Sequence, residues 1–160
     1  MHEIQIIKKL KYKGLWFYGL SGSGKTYISK KISKKIKNSF LIDGDVVRSL
    51  VSFDLGYSLK DRIKQNKRVL GLAKIAILNN QFPIISSVYL DPTISKEIKR
   101  NKINIINLIR KKNANINKKL INKKNVVGRA INQPKINCEV LENNSKFIIT
   151  KKYVRKNFTR

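Results

Sequence analysis

The sequence is poor in several residue types, and each shortage excludes something. Cys138 is the one cysteine in 160 residues, so an intrachain disulfide is excluded. With no Cys or His at metal-ligand spacing, it reads as a small half-buried thiol, and the lone His2 reads as a solvated imidazole. Acidic residues number nine against 36 Lys and Arg, a formal charge of +27. That excess invites a polyanionic partner, but the lysines run from Lys8 to Lys156, interleaved with Asn and Ile as in residues 101–109. They are not gathered on a stripe with aromatic stacking residues. No specific nucleic acid is therefore expected, and any general polyanion affinity would be strongly salt-dependent. No apolar run approaches the ~20 residues that span a bilayer, and the first residues lack a signal-peptide core. These absences predict a cytoplasmic protein with no membrane partner. The length predicts one domain, 1–160, large enough to bury about two-thirds of its unfolded surface.

What is present is an alternation of element types. Leu15–Tyr18 is a short apolar and aromatic run ending in glycine, and Lys25–Lys37 carries Ile28, Ile32 and Ile36 on one helical stripe. Phe40–Ile42 reads as a second strand. Ser58 and Asp61 form a capping box that opens a helix bearing Ile63, Leu70, Ala73 and Ile77, which Asn79 and Asn80 close. Pro83–Val88 is a third strand. The order β-α-β-α-β predicts an α/β fold with a mainly parallel central sheet between helical layers, with ligands at the carboxyl ends of the strands. Beyond Arg100 the signal weakens. Residues 103–109 fit strand or helix, 113–124 are polar, and Lys146–Thr150 reads as a late strand.

Gly19-Leu20-Ser21-Gly22-Ser23-Gly24-Lys25-Thr26 places a glycine, four residues, then Gly-Lys-Thr between a strand and a helix. This spacing matches the phosphate loop of P-loop NTPases. Phosphate oxygens need several N–H donors converging in a small space; glycine lets the backbone curl that tightly, and the helix N-terminus adds partial positive charge. Gly19, Ser21, Gly22, Ser23, Gly24, Lys25, Thr26 and Tyr27 are thus the candidate ATP-binding residues. Lys25 would reach the β- and γ-phosphates, and Thr26 would place its hydroxyl on Mg²⁺.

Asp43-Gly44-Asp45 closes the second strand, with Arg48 one helical turn later. Capping a helix would explain the carboxylates structurally. At this sheet edge they can also hold water on Mg²⁺ or orient and deprotonate an attacking hydroxyl, and Arg48 can clamp an anionic acceptor bidentately. Farther on, Tyr57 can stack on a base and Arg62 can meet an anionic group, although helix-face basic residues are usually solvated.

Taken in order, Trp16-Phe17-Tyr18-Gly19 through Thr26, Asp43 through Arg48, and Leu55-Gly56-Tyr57-Ser58 through Asp61-Arg62 resemble the adenylylsulfate kinases. The resemblance covers about the first 75 residues. It implies an ATP-dependent, Mg²⁺-assisted phosphorylation of the 3′-hydroxyl of adenylylsulfate, and it is compatible with a homodimer. It implies Lys25, Asp43 and Asp45 as catalytic residues, with Asp45 the base. Thr26 and Asp43 fall on the metal side, and Arg48, Tyr57, Arg62 and Gln65 on the acceptor. The chain departs from the family at four places. Gln65 stands for an asparagine, with Asn66 beside it. Val88-Tyr89-Leu90-Asp91-Pro92 replaces an Ile-Ser-Pro stretch, and the lid motif has only Arg110-Lys111-Lys112 as a basic counterpart. Asn125-Val126-Val127-Gly128 lacks the aromatic of the corresponding family segment. Tyr89 in place of serine, the run Asp61-Arg62-Ile63-Lys64-Gln65 and the Asn125–Gly128 segment resemble a capsule-associated branch whose acceptor can be cytidine diphosphoramidate. The missing lid motif also leaves room for a nucleotide- or nucleic-acid-binding protein without catalysis.

Overall fold

The structure, a computed structural model, describes residues 12–110 and 124–143. Nine elements follow in chain order: β1 Gly14–Tyr18, α1 Lys25–Ser33, β2 Ser39–Asp43, α2 Gly44–Leu50, α3 Leu59–Leu78, β3 Phe82–Ser87, α4 Pro92–Arg100, β4 Ile103–Arg110 and β5 Glu139–Asn143. The strands form one sheet in the order β2-β3-β1-β4-β5, and every pairing is parallel. Chain order and sheet order part company on either side of β1, which is where parallel sheets open a crevice at their carboxyl edge.

Alternation along β1 divides the core between the two faces, as a period of two requires. Leu15 and Phe17 join Ile28 and Ile32 of α1, with Ile84, Ile106 and Leu108 from the neighbouring strands. Trp16 and Tyr18 face the other way, onto Val69, Leu70 and Ala73 of α3 and Ile94 and Ile98 of α4. Both faces are therefore sealed, which is why the strands read as continuous apolar runs. The polar atoms of these buried aromatics are used: Trp16 Nε1 donates to Ser87 Oγ at 2.8 Å, and Tyr18 Oη lies 3.4 Å from Cys138 Sγ. Burial and that sulfur neighbour raise the Tyr18 phenol well above its usual range.

Several expectations need correction. The first helix ends at Ser33, not Lys37. Tighter bonds, Lys35 N–H to Ile32 C=O and Ile36 N–H to Ser33 C=O, wind down the turn, and Asn38 at φ 55° redirects the chain into β2. Residues 103–110 are strand. The helix α4 lies where no element was expected, capped by Asp91, whose carboxylate accepts from Thr93 N–H, with Pro92 in its first turn. The last described strand is Glu139–Asn143; the expected strand at Lys146–Thr150 lies outside the described residues, as do His2, Lys111, Lys112 and most of the polar stretch 113–124.

Candidate active site

The loop between β1 and α1 is fixed by close backbone approach. A Cβ on Gly19, at φ +153°, would fall 2.2 Å from the Leu108 carbonyl oxygen, so the loop passes where no side chain fits. Lys25 follows at the start of α1 and is only 8% exposed. Its Nζ donates to the Leu20 carbonyl at 2.8 Å and lies 3.4 Å from Ser23 Oγ. Burial pulls its pKa down to about 8, against the opposing pull of Asp45 and then Asp43. A buried ammonium short of negative charge is a ready counter-ion for phosphate.

Asp43 ends β2 and caps α2: its Oδ1 accepts from the Asp45 N–H at 2.9 Å. Its Oδ2 accepts from Thr26 Oγ1 at 2.8 Å and from Ser86 Oγ at 3.1 Å. The side chain that caps α2 thus also gathers the Thr26 and Ser86 hydroxyls. Asp45, in the first turn of α2, is exposed, and among the described residues no hydrogen bond engages its carboxylate.

On the far side, Arg48 and Arg62 flank the ring of Tyr57 with guanidinium carbons 4.7 and 5.7 Å from its centroid. Arg48 Nη1 donates to the Gly56 carbonyl. Arg62 Nε donates to the Tyr57 carbonyl at 3.1 Å, and its Nη2 reaches the Asn125 carbonyl at 2.9 Å. Burial, then the neighbouring Arg48 charge, lowers the Arg62 pKa, so two cations converge where an anionic group would relieve their repulsion. Gln65 is 5% exposed; its Nε2 donates to the Gly44 carbonyl at 3.1 Å while its buried Oε1 has no hydrogen-bond partner among the described residues.

One cleft of about 910 Å³ is lined by the inner phosphate loop, Lys25 through Tyr27, both aspartates, Arg48, Tyr57, Arg62 and Gln65. Every expected site residue thus comes together there except Gly19 and Ser23, which shape the loop without lining the cleft. Sequence reasoning missed Ser86, although a Ser-Ser pair ending an apolar strand at the carboxyl edge was a usable signal. It also did not find what Asn66 does. Asn66 Nδ2 donates to the Tyr89 carbonyl and its Oδ1 accepts from the Asp91 N–H, both at 3.0 Å, holding the departure loop. Tyr89 is 4% exposed and packs with Val127 and Ile131. Burial, then Asp91, raises its pKa.

The family model for adenylylsulphate kinase matches residues 11–110. The adenylyl-sulfate kinase of Clostridium acetobutylicum is 42% identical over 74 residues, 42% of this chain and 37% of that protein. The probable adenylyl-sulfate kinase of Bacillus subtilis is 34% identical over 82 residues, 49% of this chain and 40% of that protein. The chain thus spans about two-fifths of the length of these curated relatives. Among solved structures, the Mycobacterium tuberculosis APS kinase CysC in complex with AMPPNP and APS superposes with a TM-score of 0.76 at 16% identity, over 88% of this chain and 94% of that one, a likeness of fold. With more than half of its residues matched by the family model, between a phosphate loop and a two-arginine pocket, the chain belongs to the adenylylsulphate kinase family.

Proposed function

We propose that this chain transfers the γ-phosphoryl of ATP, the donor this family uses, to the 3′-hydroxyl of adenylylsulfate. The observation that carries the reading is the single cleft shared by Lys25 and Thr26, by Asp43 and Asp45, and by the Arg48–Tyr57–Arg62 cluster. Donor phosphates, a carboxylate pair and a cationic, aromatic acceptor wall within one cavity are what in-line transfer between two nucleotides requires.

In this reading Lys25 exchanges the Leu20 carbonyl for phosphate oxygens, and its buried charge is then neutralised where it lies. The Thr26 hydroxyl and Asp43 Oδ2, 2.8 Å apart, fit Mg²⁺. That ion takes hard oxygen donors and is commonly held by one or two carboxylates together with substrate phosphates. When bound, the ion neutralises negative charge developing on the phosphoryl oxygens. Asp45 accepts the proton of the attacking hydroxyl. Arg48 and Arg62 hold the acceptor's phosphate and sulfate, Tyr57 lies against its base, and Gln65 offers its unpartnered Oε1 to a donor on the acceptor.

A second acceptor, cytidine diphosphoramidate, is favoured by one observation: buried Tyr89 occupies the loop after β3 where the family motif has serine. We further propose a single cytoplasmic domain that pairs as a homodimer; sedimentation checks the pairing. Among the described residues no helix is long and apolar enough to cross a membrane. A coupled ADP-release assay with both acceptors tests the function. Release that requires adenylylsulfate supports the first reading, release that requires the cytidine compound supports the second, and ATP binding with neither leaves a binding protein.

A further inference from the structure

The carboxyl ends of β4 and β5 hold the phosphate loop from outside the cleft. Arg110 and Asn143 stand side by side as Cα partners in the parallel β4–β5 pair. Arg110 Nη1 donates to the Gly22 carbonyl at 3.2 Å, and Asn143 Nδ2 donates to the Ser23 carbonyl at 2.9 Å. No cis peptide bond occurs among the described residues, and in a planar trans peptide the carbonyl and the following N–H point to opposite sides. A donor that draws the Ser23 carbonyl toward β5 therefore turns the Gly24 N–H away from β5. That N–H sits at the N-cap of α1, where, as in the first turn, amides have no intrahelical acceptor; the Ile28 N–H, bonded to the Gly24 carbonyl at 3.0 Å, is the first to gain one. The contact is tight as well as polar. Gly24 sits at φ +93°, and a Cβ there would lie 2.3 Å from Asn143 Nδ2, so the amide lies against the loop in space that only glycine leaves open.

We propose that Asn143, with Arg110 beside it, is a positioning residue for nucleotide binding. Its amide sets the peptide plane between Ser23 and Gly24 so that the Gly24 N–H meets a phosphate oxygen of the nucleoside triphosphate. Asn143 acts through the loop, and the inference rests on the phosphate-loop reading given above. Arg110 serves the same end as a second donor, so its hydrogen bond matters more than its charge.

The test compares wild type with Asn143→Leu, which keeps the size and removes both polar atoms, and with Arg110→Gln and Arg110→Met. The probes are direct binding of ATP and the separate KM values for ATP and adenylylsulfate. Asn143→Leu is expected to weaken ATP binding about fivefold to tenfold, the loss of one oriented hydrogen bond, with kcat and the acceptor KM within about twofold of wild type. Arg110→Gln, which retains a donor, is expected to bind ATP more tightly than Arg110→Met. Should Asn143→Leu fail to fold, Asn143→Ser replaces it with the same expectation. Unchanged ATP affinity in the Asn143 variant overturns the inference, as does an equal loss of ATP and acceptor affinity, which marks a general structural role. A wild type that binds no ATP overturns the phosphate-loop reading itself, and this inference with it.

Discussion

Thr26 at the start of α1 donates a hydrogen bond of 2.8 Å to Asp43 at the end of β2, across 17 residues of chain. Ser86 of β3 donates to the same carboxylate oxygen at 3.1 Å, so the ends of three elements meet at Asp43 Oδ2. The other oxygen caps α2. One side chain thus serves the fold and, in the proposed reading, the chemistry, and a suitable substitution separates the two.

Asparagine caps a helix as well as aspartate does. Asp43→Asn should therefore keep the α2 cap and change the melting temperature little, while turnover falls about 10²-fold or more through the loss of a charged ligand. Thermal melts beside steady-state assays check this; a large loss of stability with activity retained would reverse the assignment.

Lys25 offers a pH test. Its folded pKa, about 8, lies below the usual 10.5. Below pH 8 the lysine is protonated in folded and unfolded chains alike, and its burial penalty is fully present. Between about pH 8 and 10.5 the unfolded chain binds the extra proton, so this residue's contribution makes stability rise with pH. Lys25→Met should abolish turnover yet stabilise the nucleotide-free protein at pH 7 by about 1–3 kcal/mol. That gain should shrink as pH climbs toward 10. Denaturant melts of both proteins across that range supply the measurement.

Arg48 and Arg62 share the Tyr57 ring. Replacing either with alanine should raise the acceptor KM by about 10- to 100-fold, the loss of a charge-assisted contact, with the ATP KM little changed. Arg62→Lys should restore it only in part, because a lysine point charge lacks the planar guanidinium fork whose Nε and Nη2 meet the Tyr57 and Asn125 carbonyls. Initial-rate kinetics with each substrate varied separate these outcomes.

At Gly19 the backbone itself is the obstacle. Gly19→Ala sets a methyl 2.2 Å from the Leu108 carbonyl oxygen. The β1–β4 contact must then part, with an expected loss of about 2–4 kcal/mol and of nucleotide binding. Urea melts and ATP titration read both effects.

The first half of the chain was legible because its signals are short-range. Gly19 through Thr26, Asp43 through Arg48, and Leu55 through Arg62 each lie at a strand end or helix start, where local spacing nearly dictates conformation. The later elements depend on partners far away in sequence. Glu139–Asn143 is mostly half-exposed and becomes a strand by pairing with β4, and the Asn143 contact to Ser23 spans 120 residues. No window of sequence contains both ends of such a contact. The helix α4 was hidden for a different reason. Asp91-Pro92 was read only as part of the stretch that replaces Ile-Ser-Pro, whereas an Asp cap followed by proline starts a helix. In the site, Gln65 lines the cleft, and the main-chain anchoring by Asn66 beside it followed from the path of the 87–91 loop.

ADP release by the purified chain with ATP, Mg²⁺ and adenylylsulfate, run beside Asp45→Asn, tests the central claim most directly. The expected result is release that needs adenylylsulfate and falls at least about 100-fold in the variant, the size of a lost general base. Release that ignores the acceptor, or that persists undiminished in Asp45→Asn, would contradict it.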